Sequence, residues 1–232
     1  MKILAFVPAR GGSVGIKNKN LTNLAGKPLI QYTLDILKKL GKSIYPFVST
    51  NDPKIANYCR KKGFGTTYRR PLVLSKSNSN VIDALIHGVE WLKNYKGLTF
   101  DTILILQPTS PIRQVLEIKK ALKIFEKTKT SSMTSVIPMR EHPFECIEIK
   151  NKKWKFLRKP KIKVFRRQQF KKNFYFIDGS FYIIRTHFMQ KHKKLIEENK
   201  TKFFILNRNW PVDIDNKEDL YVAKSLIRAK IK

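Results

Sequence analysis

The sequence predicts an α/β protein: a mostly parallel sheet with helices on both faces and a small inserted hairpin arm. Three observations lead there. Short apolar runs, read as strands, alternate with stretches of helical period from Ile3 to Ile137. With 232 residues and 42% hydrophobic content the chain can bury one sizeable core, so one domain with an appendage is expected. After Pro138 the rhythm breaks into charged, β-like pieces.

Ile3 to Val7 is a continuous apolar run, the mark of a strand buried on both faces. Pro28 to Leu40 carries Leu29, Ile30, Thr33, Ile36, Leu37 and Leu40 at helical spacing and stops at Gly41. Tyr45 to Ser49 is a second strand. The next helix has Pro53 in its first turn and Asp52 as its cap, and runs to Gly63. Asn80 to Trp91 reads as a third helix, Thr102 to Leu106 as a central strand, Val115 to Phe125 as a fourth helix and Met133 to Ile137 as a further strand. Within Arg140 to Gln169, Cys146 to Ile149 and Trp154 to Leu157 flank Asn151-Lys152, which suggests a hairpin. Phe181 to Ile184 resumes the sheet, His187 to Glu198 gives a helix, Phe203 to Leu206 a strand, and Asn216 to Lys230 the closing helix. Such an alternation places ligands beyond the carboxyl ends of the strands.

The first strand opens onto Gly11, Gly12 and Gly15 beside Arg10, Lys17 and Lys19. Glycines bring backbone N–H groups close to an anion and the cations oppose its charge, so the stretch reads as a polyphosphate cradle; a plain glycine turn with solvated lysines is the alternative. It is neither a Walker A loop, which needs Gly-Lys-Ser/Thr at fixed spacing, nor a dinucleotide fingerprint opening directly into a helix.

Net charge is +31, from 48 Lys and Arg against 17 Asp and Glu, and it raises a nucleic-acid-binding alternative. The lysines are spread along the chain and no helix-turn-helix, zinc-finger or aromatic RNA-binding signature is present, which argues against nucleic acid as the main partner. No apolar run reaches bilayer length and Met1-Lys2 leads straight into a strand, so a cytoplasmic protein without membrane contact is expected. Cys59 and Cys146 have no metal or redox spacing, which suits a reducing compartment.

Several stretches together resemble the cytidylyltransferases that activate nine-carbon acid sugars, the CMP-sialic acid synthetases. They are Val7-Pro8-Ala9-Arg10-Gly11-Gly12-Ser13, Lys19-Asn20-Leu21, Arg70-Pro71, Gln107-Pro108-Thr109-Ser110-Pro111-Ile112-Arg113, Arg167-Gln168-Gln169 and Asp213-Ile214-Asp215. The resemblance implies a Rossmann-like nucleotidyltransferase sheet, with 1–139 as nucleotide-binding core, 140–177 as a dimerisation arm that makes a homodimer and reaches into the neighbour's site, and 178–232 as the rest of the core.

It further implies that CTP, an acid sugar and Mg²⁺, with Mn²⁺ as a substitute, meet in one site. Arg10 and Lys19 would grip the triphosphate as catalytic cations; Ala9, Gly11, Gly12, Ser13 and Asn20 would complete the nucleotide contacts, and Arg70 would lie near the cytosine. Gln107, Arg167 and Gln169 would hold the sugar, and Asp213 and Asp215 the metal, Asp213 being counted as catalytic. The residues alone leave other roles open. Lys19 could be one more solvated lysine and Arg70 the exposed half of Arg69-Arg70. Asp215 stands before Glu218 at the spacing of a capping box, while Asp213 and Asp215, two apart on an extended segment, face one side and suit a hard divalent ion. His87 reads as a structural helix residue. Val14, Ser77 and Tyr175-Phe176-Ile177-Asp178-Gly179 depart from the family's usual Lys, Asp and Arg-x-Asn-Gly, so the sugar stays open among sialic, legionaminic, pseudaminic and related acids. Transfer to another sugar from another nucleotide is a further alternative.

Overall fold

The computed structural model describes residues 1–159, 174–208, 210 and 212–229. A six-stranded sheet runs through it in the order β10, β6, β9, β5, β1, β4. Its first three members in chain order are β1 (Ile3–Pro8), β4 (Ile44–Ser49) and β5 (Thr102–Ile105), and β1 pairs in parallel with both of the others. β6 (Ser132–Pro138) pairs in parallel with β10 (Thr201–Ile205). Between the two parallel sets lies β9 (Tyr175–Arg185), antiparallel to β5 and to β6. Pro46 falls on β4, at the edge, where a missing N–H costs least. A two-stranded ribbon, β2 (Asn23–Leu24) with β3 (Lys27–Pro28), follows the glycine loop.

Period-two alternation along the central strands builds two cores. Ala5 and Val7 of β1 and Leu104 face α1 (Leu29–Leu40), α2 (Pro53–Lys61) and α4 (Val115–Glu126). Leu4 and Phe6, with Ile103 and Ile105, face α3 (Val81–Lys96) and α5 (Thr186–His192). A smaller third cluster joins Ile16 of the glycine loop to Ile214 and to Ala223 of α6 (Lys217–Arg228). Asp52 caps α2, accepting from the N–H groups of Lys54 and Ile55 at 2.7 and 3.3 Å, and Asn80 caps α3.

Three sequence expectations need correction. The helix expected over His187–Glu198 ends at His192, because Lys193 turns left-handed (φ 50°) and Leu195 packs against the second core. The return to the sheet is eleven residues long rather than the four of Phe181–Ile184, and its start at Tyr175 falls inside the stretch assigned to the arm. The closing helix is capped by Asn216, whose side chain accepts from the N–H of Asp219 while the Asp219 carboxylate accepts from Asn216 N–H. Asp215 with Glu218 is therefore not the box.

The hairpin forms where the turn chemistry puts it. β7 (Ile147–Lys150) and β8 (Lys153–Phe156) are joined by Asn151 and Lys152 at φ 50° and 62°, the positive pair a two-residue turn demands. Register sets Ile147 opposite Phe156 and Ile149 opposite Trp154, so four apolar side chains share one face; Glu148 and Lys155 pair on the other at 2.8 Å.

Candidate active site

At the carboxyl ends of β1 and β5 lies a cleft of about 270 Å³. Arg10, Ser13, Lys19, Asn20, Arg70, Gln107, Asp213 and Asp215 all line it. Chain order separates Arg10 from Asp215 by 205 residues; the fold brings them together.

The glycine loop leaves β1 and is fastened on each side. Ala9 N–H extends the ladder to the Ser49 carbonyl at 2.9 Å, Gly11 N–H donates to Asn51 Oδ1 at 2.9 Å, and Asn20 Nδ2 donates to the Arg10 carbonyl at 3.0 Å. Gly11 thus spends on the protein the N–H that was expected to meet an anion, Ala9 N–H is spent likewise, and Asn20 ties the loop across its own width. Arg10 arches over the loop, donating to the Gly12 carbonyl at 3.0 Å.

Arg70 is buried, whereas Arg69 carries the exposure. Its Nε donates to Ser49 Oγ at 2.9 Å and its Nη2 to the Ser49 carbonyl at 2.6 Å, so the guanidinium is aimed by two bonds before any ligand arrives. Burial lowers its pKa to about 10, with Arg10 adding repulsion and Tyr68 opposing both; the side chain remains cationic at neutral pH. His87 meets the Tyr68 hydroxyl at 3.0 Å, a satisfied structural contact.

On the opposite wall, Ile214 N–H donates to the Thr109 carbonyl at 2.9 Å and straps the Asp213–Asp215 segment to the loop after β5. Asp213 touches solvent at the mouth of the cleft yet is flanked by protein, and desolvation raises its carboxyl pKa. The Thr109 hydroxyl opposes that rise, Asp215 adds to it, and Lys19 and Arg113 oppose it. A carboxylate held against its own ionisation beside a second one is a site that gains from a cation. Behind Asp213 opens a hollow of about 380 Å³ lined by Ile137, Met139, Phe176 and Val222 among others.

The pair fits a magnesium ion of the kind completed by substrate: hard oxygen donors, two rather than a cage. Among the described residues no three His, Cys, Asp or Glu side chains gather into a metal cluster, and Mg²⁺ commonly uses one or two carboxylates with water and phosphate oxygens.

Sequence reading missed the support beneath this wall. Arg113 is buried and donates to the carbonyls of Gln107 and Ser180, and to Thr33 Oγ1 at 3.1 Å. Asp178, also buried, accepts from the Ser135 hydroxyl at 2.5 Å and from the Ser180 hydroxyl, at the point where the β6–β9 register shifts. Arg208 reaches Glu117 and the Ile112 carbonyl at 2.6 Å. Gly179, at φ 70°, forms the floor: a Cβ there would lie 3.2 Å from Ser110 Oγ and 3.5 Å from Gln107 Oε1. Arg113 and Asp178 both fall in stretches the sequence singled out, Gln107 to Arg113 and Tyr175 to Gly179, but nothing local marked either as a buried support. Arg167 and Gln169, expected on the sugar, lie outside the described residues.

The pattern of the family described as Cytidylyltransferase matches residues 4–229. The chain belongs to the cytidylyltransferase family. This cytidylyltransferase is 32% identical over 231 residues to the CMP-N,N'-diacetyllegionaminic acid synthase of Legionella pneumophila, covering 98% of this chain and 97% of that one. It is 27% identical to the N-acylneuraminate cytidylyltransferase of Streptococcus agalactiae over 94% of its own length, and spans about half (52%) of that longer protein. A solved CMP:2-keto-3-deoxy-manno-octonic acid synthetase complexed with CTP shares its fold, with TM-score 0.71 at 17% identity and full coverage of both chains. No described helix is long and apolar enough to cross a membrane.

Proposed function

We propose that this enzyme transfers CMP from CTP to an acid sugar of the sialic or legionaminic type. The observation that carries the reading is the convergence of Arg10, Lys19, Arg70, Gln107, Asp213 and Asp215 on one cleft in a cytidylyltransferase. In the reaction an acceptor hydroxyl oxygen attacks the α-phosphorus, the bond to the bridging oxygen of the β-phosphate breaks, pyrophosphate leaves, and the hydroxyl proton passes to solvent. Little covalent help is required; charge and alignment are.

Arg10 and Lys19 hold the triphosphate and balance the charge that builds on the departing pyrophosphate. Arg70, aimed by Ser49, faces the nucleoside end. Gln107 offers an amide to the acceptor at the end of β5, Gly179 keeps the floor open beside it, and the apolar hollow behind Asp213 suits the methyl groups of an acylated sugar. Asp213 and Asp215 would hold Mg²⁺, with Mn²⁺ as a substitute. When bound, that ion would neutralise phosphate oxygens and acidify the attacking hydroxyl.

The exposed apolar face of Ile147, Ile149, Trp154 and Phe156 supports a homodimer through the hairpin. The chain is read as acting in the cytoplasm, where CTP is available. A pyrophosphate-release screen of CTP, UTP, ATP and GTP against sialic, legionaminic, pseudaminic and octulosonic acids tests the assignment. CTP with an acylated nine-carbon acid should lead; release with UTP or ATP, or with the octulosonic acid alone, would replace the reading.

A further inference from the structure

The glycine loop and the Asp213–Asp215 segment are built against each other. Ile16 and Ile214 share the small third core. Between them Gly15 lies so close to the Asp215 carbonyl that a Cβ would stand 2.2 Å from its oxygen, so the two stretches touch through bare backbone. Across this seam Lys19 Nζ donates to the Ile214 carbonyl and to Asp215 Oδ1, each at 2.8 Å. The lysine side chain is only 12% exposed while the Asp215 side chain is 76% exposed. The ammonium is therefore the more enclosed member, and the carboxylate reaches in from solvent to meet it.

Taking Asp213 and Asp215 as the metal pair, as proposed above, we infer that Lys19 holds Asp215 in the nucleotide-free protein and releases it only when a triphosphate draws the ammonium away, so that nucleotide must arrive before or with the divalent ion. An ammonium with three donors, beside one carboxylate and one carbonyl, occupies the ground a small cation needs. A divalent ion entering alone would meet that positive charge within a few ångströms. A triphosphate carries enough negative charge for both cations: the ammonium turns to the phosphates, and Asp215 is freed to share the ion with Asp213 and the phosphate oxygens. An ion pair so open on one side exchanges partners readily, which a hand-off requires. Lys19 is thus a positioning residue for the metal as well as a phosphate contact.

Titrating the full-length chain with Mn²⁺ alone, and following free Mn²⁺ by its electron paramagnetic resonance signal at fixed ionic strength, tests this without turnover. Lys19→Met should bind the ion about ten-fold more tightly than the parent, and saturation with α,β-methylene CTP should raise the parent's affinity far more than the variant's. Lys19→Gln repeats the measurement if the Met variant does not fold. Equal affinity in parent and Lys19→Met overturns the inference, as does an equal gain in Lys17→Met, which removes a neighbouring exposed charge. Adding Asp213→Asn to Lys19→Met should abolish the gained site. If the gain survives that change, the ion sits elsewhere and the metal assignment itself falls.

Discussion

The glycine-loop wall of the cleft and the inserted hairpin are opposites in how they satisfy themselves. In the wall, polar groups find partners within the chain: Gly11 on Asn51, Asn20 on Arg10, Arg70 on Ser49, Lys19 on Asp215. The hairpin has good turn chemistry and register, yet Ile149 is 69% and Trp154 61% exposed. A two-stranded hairpin is marginal alone, and an apolar face of that size in water is a cost without a covering surface. Among the described residues, the wall's polar groups are thus satisfied within the chain, and the hairpin's apolar face is left exposed. Changes in the wall should act on chemistry and folding in a single copy; changes in the arm should act on assembly.

The largest effect should come from Asp213→Asn, with turnover falling about 1,000-fold in a pyrophosphate-release assay. Its stability should move the other way. The Asp213 pKa is raised in the fold, so its stabilising contribution is complete below the ordinary carboxyl pKa and is lost as pH rises through the raised value. At pH 7 the ionised group opposes folding. Asp213→Asn should therefore melt slightly higher than the parent without divalent ions, and a lower melting temperature would remove the argument that this carboxylate is held in tension.

Next in size is the support under the cleft. Arg113→Met leaves three acceptors without a donor and should cost about 3 kcal/mol in denaturant unfolding. A loss below about 1 kcal/mol would mean the loop after β5 holds its shape without it.

The arm sharpens the comparison from the other side. In the double variant Ile149→Lys with Trp154→Lys, dimer affinity should weaken about 30-fold or more by light scattering, while a nucleotide-induced rise in melting temperature persists. A parent that is monomeric at high concentration would break the contrast.

The smallest effect concerns thiols. Burial pushes the Cys59 thiol up to about 12, so at pH 8 it stays protonated and packed in the first core. A thiol reagent should label half-buried Cys146 first and Cys59 only on unfolding. The Cys59 contribution to stability, complete below its ordinary pKa of 9.0, should fade as pH rises toward 12.

Much of the fold could be read locally. Strand and helix periods, the Asp52 cap, the Gly41 stop and the Asn151-Lys152 turn depend on near neighbours, and each stands where its chemistry puts it. The misread end of the fifth helix has a tertiary cause. Residues 193–198 have helix-forming composition, but Leu195 is taken by the second core, and Glu197 gathers Lys194 and Lys200 instead. β9 has a strand's composition, which does not say whether it runs with or against β5 and β6.

The same division runs through the site. By itself the sequence determined which residue types reach the cleft, because glycines, cations and paired carboxylates at the ends of apolar runs carry their chemistry wherever the chain takes them. Tertiary structure alone decided which groups are free and which are engaged. Lys19 and Asp215 are 196 residues apart, and their pairing at 2.8 Å exists because the glycine loop, through Ile16, and the segment before α6, through Ile214, close on one shared apolar cluster. Local composition has no term for a contact of that range, and so the state of the carboxylate expected to meet the metal was set by packing.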